Sequence, residues 1–305
     1  MLRTRGLTKR FGGLTAVDDV DFRLGSGELC SLIGPNGAGK TTFFDLLTGT
    51  LTPTEGRVEV AAGGESAAAG GSVTSEGSDT TDAEPATDGG ATVDGAGNDT
   101  TTDGWQDVTD AAPHETAAMG VHRSYQITNV FPNSTVLENV RVAAQAAGPD
   151  AATAWRNAGQ LDRYREEAAS ILARVGLGER AHEPASALSH GAKRKLEVAV
   201  ALAGDPDVLL LDEPNAGVSS ESVDEIVTLI EDVARDHAVL LVEHNMDIVM
   251  NVSDRVVVLS QGAVIADGPP AAVRDDETVQ RAYLGGYGQD DDSPSGGDAP
   301  GGEAS

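Results

Sequence analysis

The sequence predicts an α/β protein with an antiparallel β subdomain at its N-terminus and a separate, inserted helical subdomain. Three observations predict it. From Val208 onward, strand-like and helix-like segments alternate, the pattern of parallel βαβ units. Near the N-terminus a glycine loop, Gly34 to Gly39, joins an apolar run to a helical segment. Between Gln126 and Gly204 three helical segments follow one another and break the alternation.

The elements follow in order. Val17 to Leu24 partly alternates, and Glu28 to Ile33 is a short apolar run, so both read as strands. Thr41 to Leu47 reads as a helix ending near Gly49, and Arg57 to Val60 as a short strand. Order resumes around Trp105, and Gly120 to Gln126 looks like a strand. Val136 to Ala147, Leu161 to Val175 and Gly191 to Ala203 carry helical spacing. Val208–Leu211, Ala238–Val242 and Arg255–Leu259 are strands, separated by helices over Ser220–Arg235 and Met246–Val252.

Composition narrows the function classes. The 305 residues hold 49 acidic and 21 basic side chains, a formal charge of -28, which opposes general attraction to nucleic acid or anionic lipid. Residues 61–103 carry nine acidic residues, no Lys or Arg, and only Val73 and Val93 as large apolar side chains. They bury too little surface to offset ordering, so they read as a disordered acidic insertion. Residues 286–305, with five acids and no base, read as a similar tail. Removing both leaves -14 over 242 residues with only four lysines, which fits a protein hydrated in concentrated salt better than an ordinary acidic one. The longest apolar run, Val198 to Ala203, is far short of the ~18 residues of a membrane span. The start, MLRTRGLTKRFGG, lacks a signal-peptide core, so export is not expected. Cys30 is the single cysteine; beside Leu29, Leu32 and Ile33 it reads as a buried structural thiol.

Two motifs carry chemistry. Gly34-Pro35-Asn36-Gly37-Ala38-Gly39-Lys40-Thr41 matches the G-x-x-x-x-G-K-[ST] phosphate loop between a predicted strand and a predicted helix, the core of a P-loop NTPase. Its glycines let backbone N–H groups turn toward phosphates, and the helix N-terminus adds a positive dipole end. Lys40 reaches the β- and γ-phosphates, Thr41 ligates Mg²⁺, and Thr42 bonds an inner phosphate. Val208-Leu-Leu-Leu-Asp-Glu-Pro214 is an apolar strand ending in two acids at the carboxyl edge, where ligands bind in open α/β sheets. There Asp212 holds Mg²⁺ and Glu213 polarises the attacking water.

Between them lies Leu188-Ser-His-Gly-Ala-Lys-Arg-Lys-Leu-Glu-Val-Ala199, which resembles the signature of ATP-binding-cassette (ABC) ATPases. Other landmarks keep that family's order. Gln126 matches the glutamine loop, Asn215 to Ser219 the dimer-contact loop, His244 the switch histidine, and Phe11 the aromatic that stacks on adenine. The resemblance spans roughly residues 2–285 apart from the insertion, and makes 1–285 one cassette with its helical subdomain at about 127–204. Phe11-Gly-Gly-Leu-Thr-Ala-Val17, His122-Arg-Ser-Tyr-Gln126, Val130 to Val140 and Ala282-Tyr-Leu-Gly285 look like the larger ATP-binding subunit of branched-chain amino-acid importers.

The resemblance implies an ATPase with ATP and Mg²⁺, Glu213, His244 and Gln126 in the reaction, and Gln126 touching the metal beside Thr41 and Asp212. Ser189 and Gly191 would close on ATP held by a second cassette, identical or a shorter paralogue. Partners would be membrane-spanning permease subunits and an extracellular solute-binding protein, with the chain peripheral on the cytoplasmic face and no nucleic acid. An exporter or lipid-extracting cassette can look similar; paired cassettes, coiled coils or zinc-hook cysteines of non-transport ABC ATPases are not seen. His190, where Gly is commoner, is not read as catalytic, and Lys193, Arg194 and Lys195 either support phosphate approach or form a solvated face. His114, His122, His182 and His237 show no ligand spacing.

Overall fold

The computed structural model describes residues 1–62, 100–101, 104–124, 130–148, 158–218 and 220–284. Two sheets organise them. The first is antiparallel, in the order β2-β1-β4-β6-β5: β1 Leu2–Phe11, β2 Leu14–Leu24, β4 Glu55–Ala61, β5 Thr100–Thr101 and β6 Trp105–Asp107. The tight return at Gly12-Gly13 pairs Phe11 with Leu14. Sequence composition put an insertion at 61–103, and its edges need correcting. Ala61 closes β4 opposite Trp105, while Thr101 pairs with Trp105 from the other side. Residues 63–99 and 102–103, the tail 286–305, Gln126 and Ser219 lie outside the described residues.

The second sheet has the order β11-β10-β3-β9-β8-β7. Its strands are β3 Leu29–Ile33, β7 Val121–Ser124, β8 Val208–Asp212, β9 Ala238–Val242, β10 Arg255–Ser260 and β11 Ala263–Gly268. All neighbours are parallel except β10 and β11. β3, β8 and β9 are buried at every residue, as suits strands covered on both faces whose sequences are apolar but for Ser31 and Asp212. Cys30 lies in this layer, and burial pushes its thiol up to about 12, the behaviour of an inert structural cysteine.

Helices pack on both faces. α1 (Lys40–Leu47) follows the phosphate loop and buries Phe43 and Phe44; Phe43 meets Phe22 of β2 edge to face at 5.5 Å, joining the two sheets. α2 (Pro113–Ala118) precedes β7. The three helices between 126 and 204 are α3 (Val136–Ala147), α4 (Ala158–Arg174) and α5 (His190–Leu202), packed around Val136, Val140, Leu172 and Leu196. α6 (Ser220–Ala234) and α7 (Met246–Val252) complete the βα units, and α8 (Pro270–Arg274) and α9 (Glu277–Leu284) pack beyond β11.

Candidate functional site

Parallel strands deliver their carboxyl ends to one edge, and the site is built there. β3 ends at Ile33 and runs into the phosphate loop; β8 ends at Asp212; β9 ends at Val242, two residues before His244. The loop is fixed from behind by Gly262, whose N–H donates to Ala38 and whose carbonyl accepts from Asp18. Gly39 adopts φ 105° at the head of α1, and a Cβ there would come 2.2 Å from the Ala16 carbonyl, so only glycine fits.

A cavity of about 620 Å³ opens over this edge. Asn36 to Thr42 form its floor, Asp212, Glu213 and His244 one wall, and Phe11 the outer rim. Phe11 is 46% exposed, with Lys9 Nζ over its ring at 5.3 Å. The Lys40 side chain is buried and donates to the carbonyls of Gly34 (2.6 Å) and Pro35 (3.1 Å). Burial pulls the Lys40 ammonium below its ordinary value, while the Glu213 and Asp212 carboxylates push it back up.

Glu213 is the one wall residue with unusual backbone. Its φ of 48° is rare outside glycine, and its N–H is held by the Val242 carbonyl at 2.9 Å. This turn brings Glu213 Oε1 to 2.7 Å from His244 Nε2. Glu213 and His244 therefore form one hydrogen-bonded pair.

Several further residues at the site were given no site role by the sequence reading, although some lie within its resemblance motifs. Leu14, Thr15 and Ala16 of β2 and Gln261 of the β10–β11 turn also line the cavity. Glu243 is buried and accepts from the Asn215 N–H (3.1 Å), the Asn215 Nδ2 (3.0 Å) and the His244 N–H (3.2 Å), tying the loop after β8 to His244. Arg123 of β7 bonds Asp45 and Asp212. Its guanidinium is opposed by burial but held above its ordinary pKa by those two carboxylates. The only available signal was an arginine three residues before Gln126.

Ser189 and Gly191 stand outside this cavity. Ser189 caps α5, its hydroxyl accepting from the Ala192 N–H at 3.4 Å, and is exposed. A Cβ at Gly191 would meet Ser222 Cβ at 3.0 Å, so this glycine also serves packing of α5 on α6. The basic cluster beside it divides. Arg194 pairs with Glu197 at 2.7 Å and reaches the Glu213 carbonyl at 3.4 Å, while Lys195 pairs with Glu225 of α6 at 2.6 Å.

A phosphate loop, a strand-end acid pair and a histidine on one sheet edge, with a capped helix turned outward, have a counterpart among known proteins. Residues 17–216 match the family model described as ABC transporter. The chain belongs to the ABC transporter ATP-binding family. Residues 263–288 also match a model described as branched-chain amino acid ATP-binding cassette transporter. The chain is 34% identical over 294 residues to the high-affinity branched-chain amino acid transport ATP-binding protein BraF of Pseudomonas aeruginosa, covering 93% of this chain and 98% of that protein. To LivG of Escherichia coli, which bears the same description, it is 35% identical over 296 residues with the same coverage. The fold matches a nucleotide-free ATP-binding cassette from an ABC transporter with a TM-score of 0.69, over 93% of this chain and 98% of that one, at 24% identity. An ADP-bound ATP-binding cassette of an ABC transporter matches with a TM-score of 0.68 at 25% identity and the same coverage. This ABC cassette is accordingly an ATPase subunit of a transporter.

Proposed function

We propose that the chain energises uptake of branched-chain amino acids by hydrolysing ATP on the cytoplasmic face of a membrane. The observation that carries the reading is the single cavity shared by Lys40, Thr41, Asp212 and the Glu213–His244 pair, together with near full-length likeness to BraF and LivG.

ATP lies with its base against Phe11 and its phosphates in the loop, where N–H groups and Lys40 offset their charge. Water attacks the γ-phosphorus in line with the bond to ADP. A new P–O bond forms as the bridging P–O bond breaks, and Glu213 takes the proton from the attacking water. His244 orients the Glu213 carboxylate and faces the γ-phosphate. Thr41 and Asp212 supply hydroxyl and carboxylate oxygens to the same cavity, donors of the hard type that Mg²⁺ takes alongside water and phosphate oxygens. Among the described residues no cluster of three or more His, Cys, Asp or Glu forms a metal cage, as suits a cation that arrives with its nucleotide. When bound, Mg²⁺ neutralises charge building on the β- and γ-oxygens.

Ser189 and the amino end of α5 are turned away from the chain's own cavity, which supports their closing on ATP held by a second cassette, identical or a shorter paralogue. Among the described residues no helix is long and apolar enough to cross a membrane, so the motion needs permease subunits. An extracellular binding protein would select the solute. The decisive experiment isolates the complex from native membranes, identifies its partners by mass spectrometry, and measures leucine-stimulated ATP hydrolysis in vesicles. Loss of that hydrolysis with Lys40→Ala is expected. Recovery with lipid-extracting or export subunits instead would refute the importer assignment.

A further inference from the structure

We infer that Arg123 is a positioning residue of the nucleotide site, a buried guanidinium that aims the Asp212 carboxylate by tying it to the phosphate-loop helix through Asp45. This inference rests on the reading of the chain as a metal-dependent ATPase.

Arg123 leaves the edge strand β7 opposite Leu210 of β8. Its side chain is 7% exposed. Nη1 donates to Asp45 Oδ1 and Nη2 to Asp212 Oδ2, each at 2.6 Å. The guanidinium carbon lies 5.4 Å from the centre of the Phe44 ring. One rigid, planar fork is thus fixed against a ring and joins two carboxylates from different elements.

Placement gives the fork its role. Asp45 is four residues after Thr41, on the same face of α1. Asp212 is the last residue of β8. The helix supplies Lys40 and Thr41 to the site, and the strand supplies Asp212 and Glu213. Arg123 therefore sets the register between the two halves of the site. It also takes one oxygen of Asp212, which fixes the plane in which the other can serve a ligand. Asp212 is also a buried acid on a strand end beside Glu213, and its partner across the ladder, Val242, precedes the buried Glu243.

The sign of the effect separates this role from plain electrostatics. Removing a cation from beside a dication site tightens dication binding if charge alone matters. Removing an orienting partner loosens it, typically ~10–100-fold for a residue that holds a metal ligand. The test uses the full chain with ADP and titrates Mn²⁺ by electron paramagnetic resonance. ADP affinity is measured separately in EDTA. Arg123→Met should weaken Mn²⁺ binding at least ~10-fold while metal-free ADP affinity holds within about twofold. Arg123→Lys, which keeps the charge but not the fork, should lose less than Arg123→Met yet remain measurably weaker than the unmodified protein; it also decides the question if the methionine variant does not fold. Unchanged or tighter Mn²⁺ binding in the folded variants overturns the proposal, as does an equal loss of metal-free ADP affinity. Failure of the unmodified ADP complex to bind Mn²⁺ overturns the ATPase reading itself, and the proposal with it.

Discussion

The Glu213–His244 contact yields the sharpest expectation. If the base and the histidine work as one pair, their substitutions must not act independently. Glu213→Gln keeps the side-chain shape and an oxygen facing His244, but cannot take a proton. It should lower kcat ~10²–10⁴-fold, about 2.7–5.5 kcal/mol of barrier, with ATP affinity retained. His244→Ala removes the 2.7 Å bond to Glu213 Oε1 and leaves the carboxylate, whose side chain is 25% exposed, to turn. A hydrogen bond to a charged group contributes roughly 1.5–3 kcal/mol, so this variant should lose ~10–100-fold. Independent roles would multiply these losses. A pair acting as a unit gives a double variant no slower than about twofold below Glu213→Gln, because a histidine that orients a base has nothing left to orient. Phosphate release at saturating ATP, with binding measured separately by a fluorescent nucleotide, reads all four corners of the cycle. A double variant slower by the full product of the single losses would refute the paired mechanism.

Other expectations follow from separate parts of the molecule. Ser189→Arg should impair hydrolysis far more than ATP binding by the single subunit, since Ser189 lies outside the cavity; equal loss of binding in a filter assay would place it in the chain's own site. Glu59 is 1% exposed and bonded by Arg3 at 2.8 Å, with Arg5 at 3.1 Å, and the Arg3 bond holds its carboxyl below its usual 4.5 against the opposing effect of burial. A depressed acid stabilises the fold above 4.5 and loses that contribution as pH falls through the folded value. Glu59→Gln should therefore lower stability at pH 7 by roughly 1.5–3 kcal/mol, and the gap should narrow as pH falls below 4.5; a gap that does not shrink on acidification below 4.5 would refute the pairing. The excess negative charge over the ordered sequence should make the melting temperature and ATPase rate rise into molar KCl, where the Debye length is ~3 Å. A maximum at low salt would identify an ordinary acidic protein.

The sequence by itself determined β3, α1, β8 and β9, the elements around the site, and pointed to the residues proposed to react there. Near-continuous apolar runs in β3, β8 and β9, broken only by Ser31 and the terminal Asp212, read as covered strands, and Gly34 to Thr41 reads as a phosphate loop because strand, glycines, lysine and helix stand in one order. Lys40, Thr41, Asp212, Glu213 and His244 were legible because each sits at a strand end or helix start, where chain position fixes spatial position. Contacts made by side chains across the sheet were a different matter. Arg123, Asp45 and Asp212 are distant in sequence, and no local pattern states that one guanidinium lies between two carboxylates. Glu243 and Asn215 meet only because β8 and β9 are neighbours, and Leu14, Ala16 and Gln261 enter the cavity because two unrelated turns back the same loop. The left-handed backbone of Glu213 arises from the β8–β9 pairing that captures its N–H. Local periodicity specifies which face of an element is apolar, but the order of strands in the sheet decides which polar ends converge, and that order was set only when the chain folded.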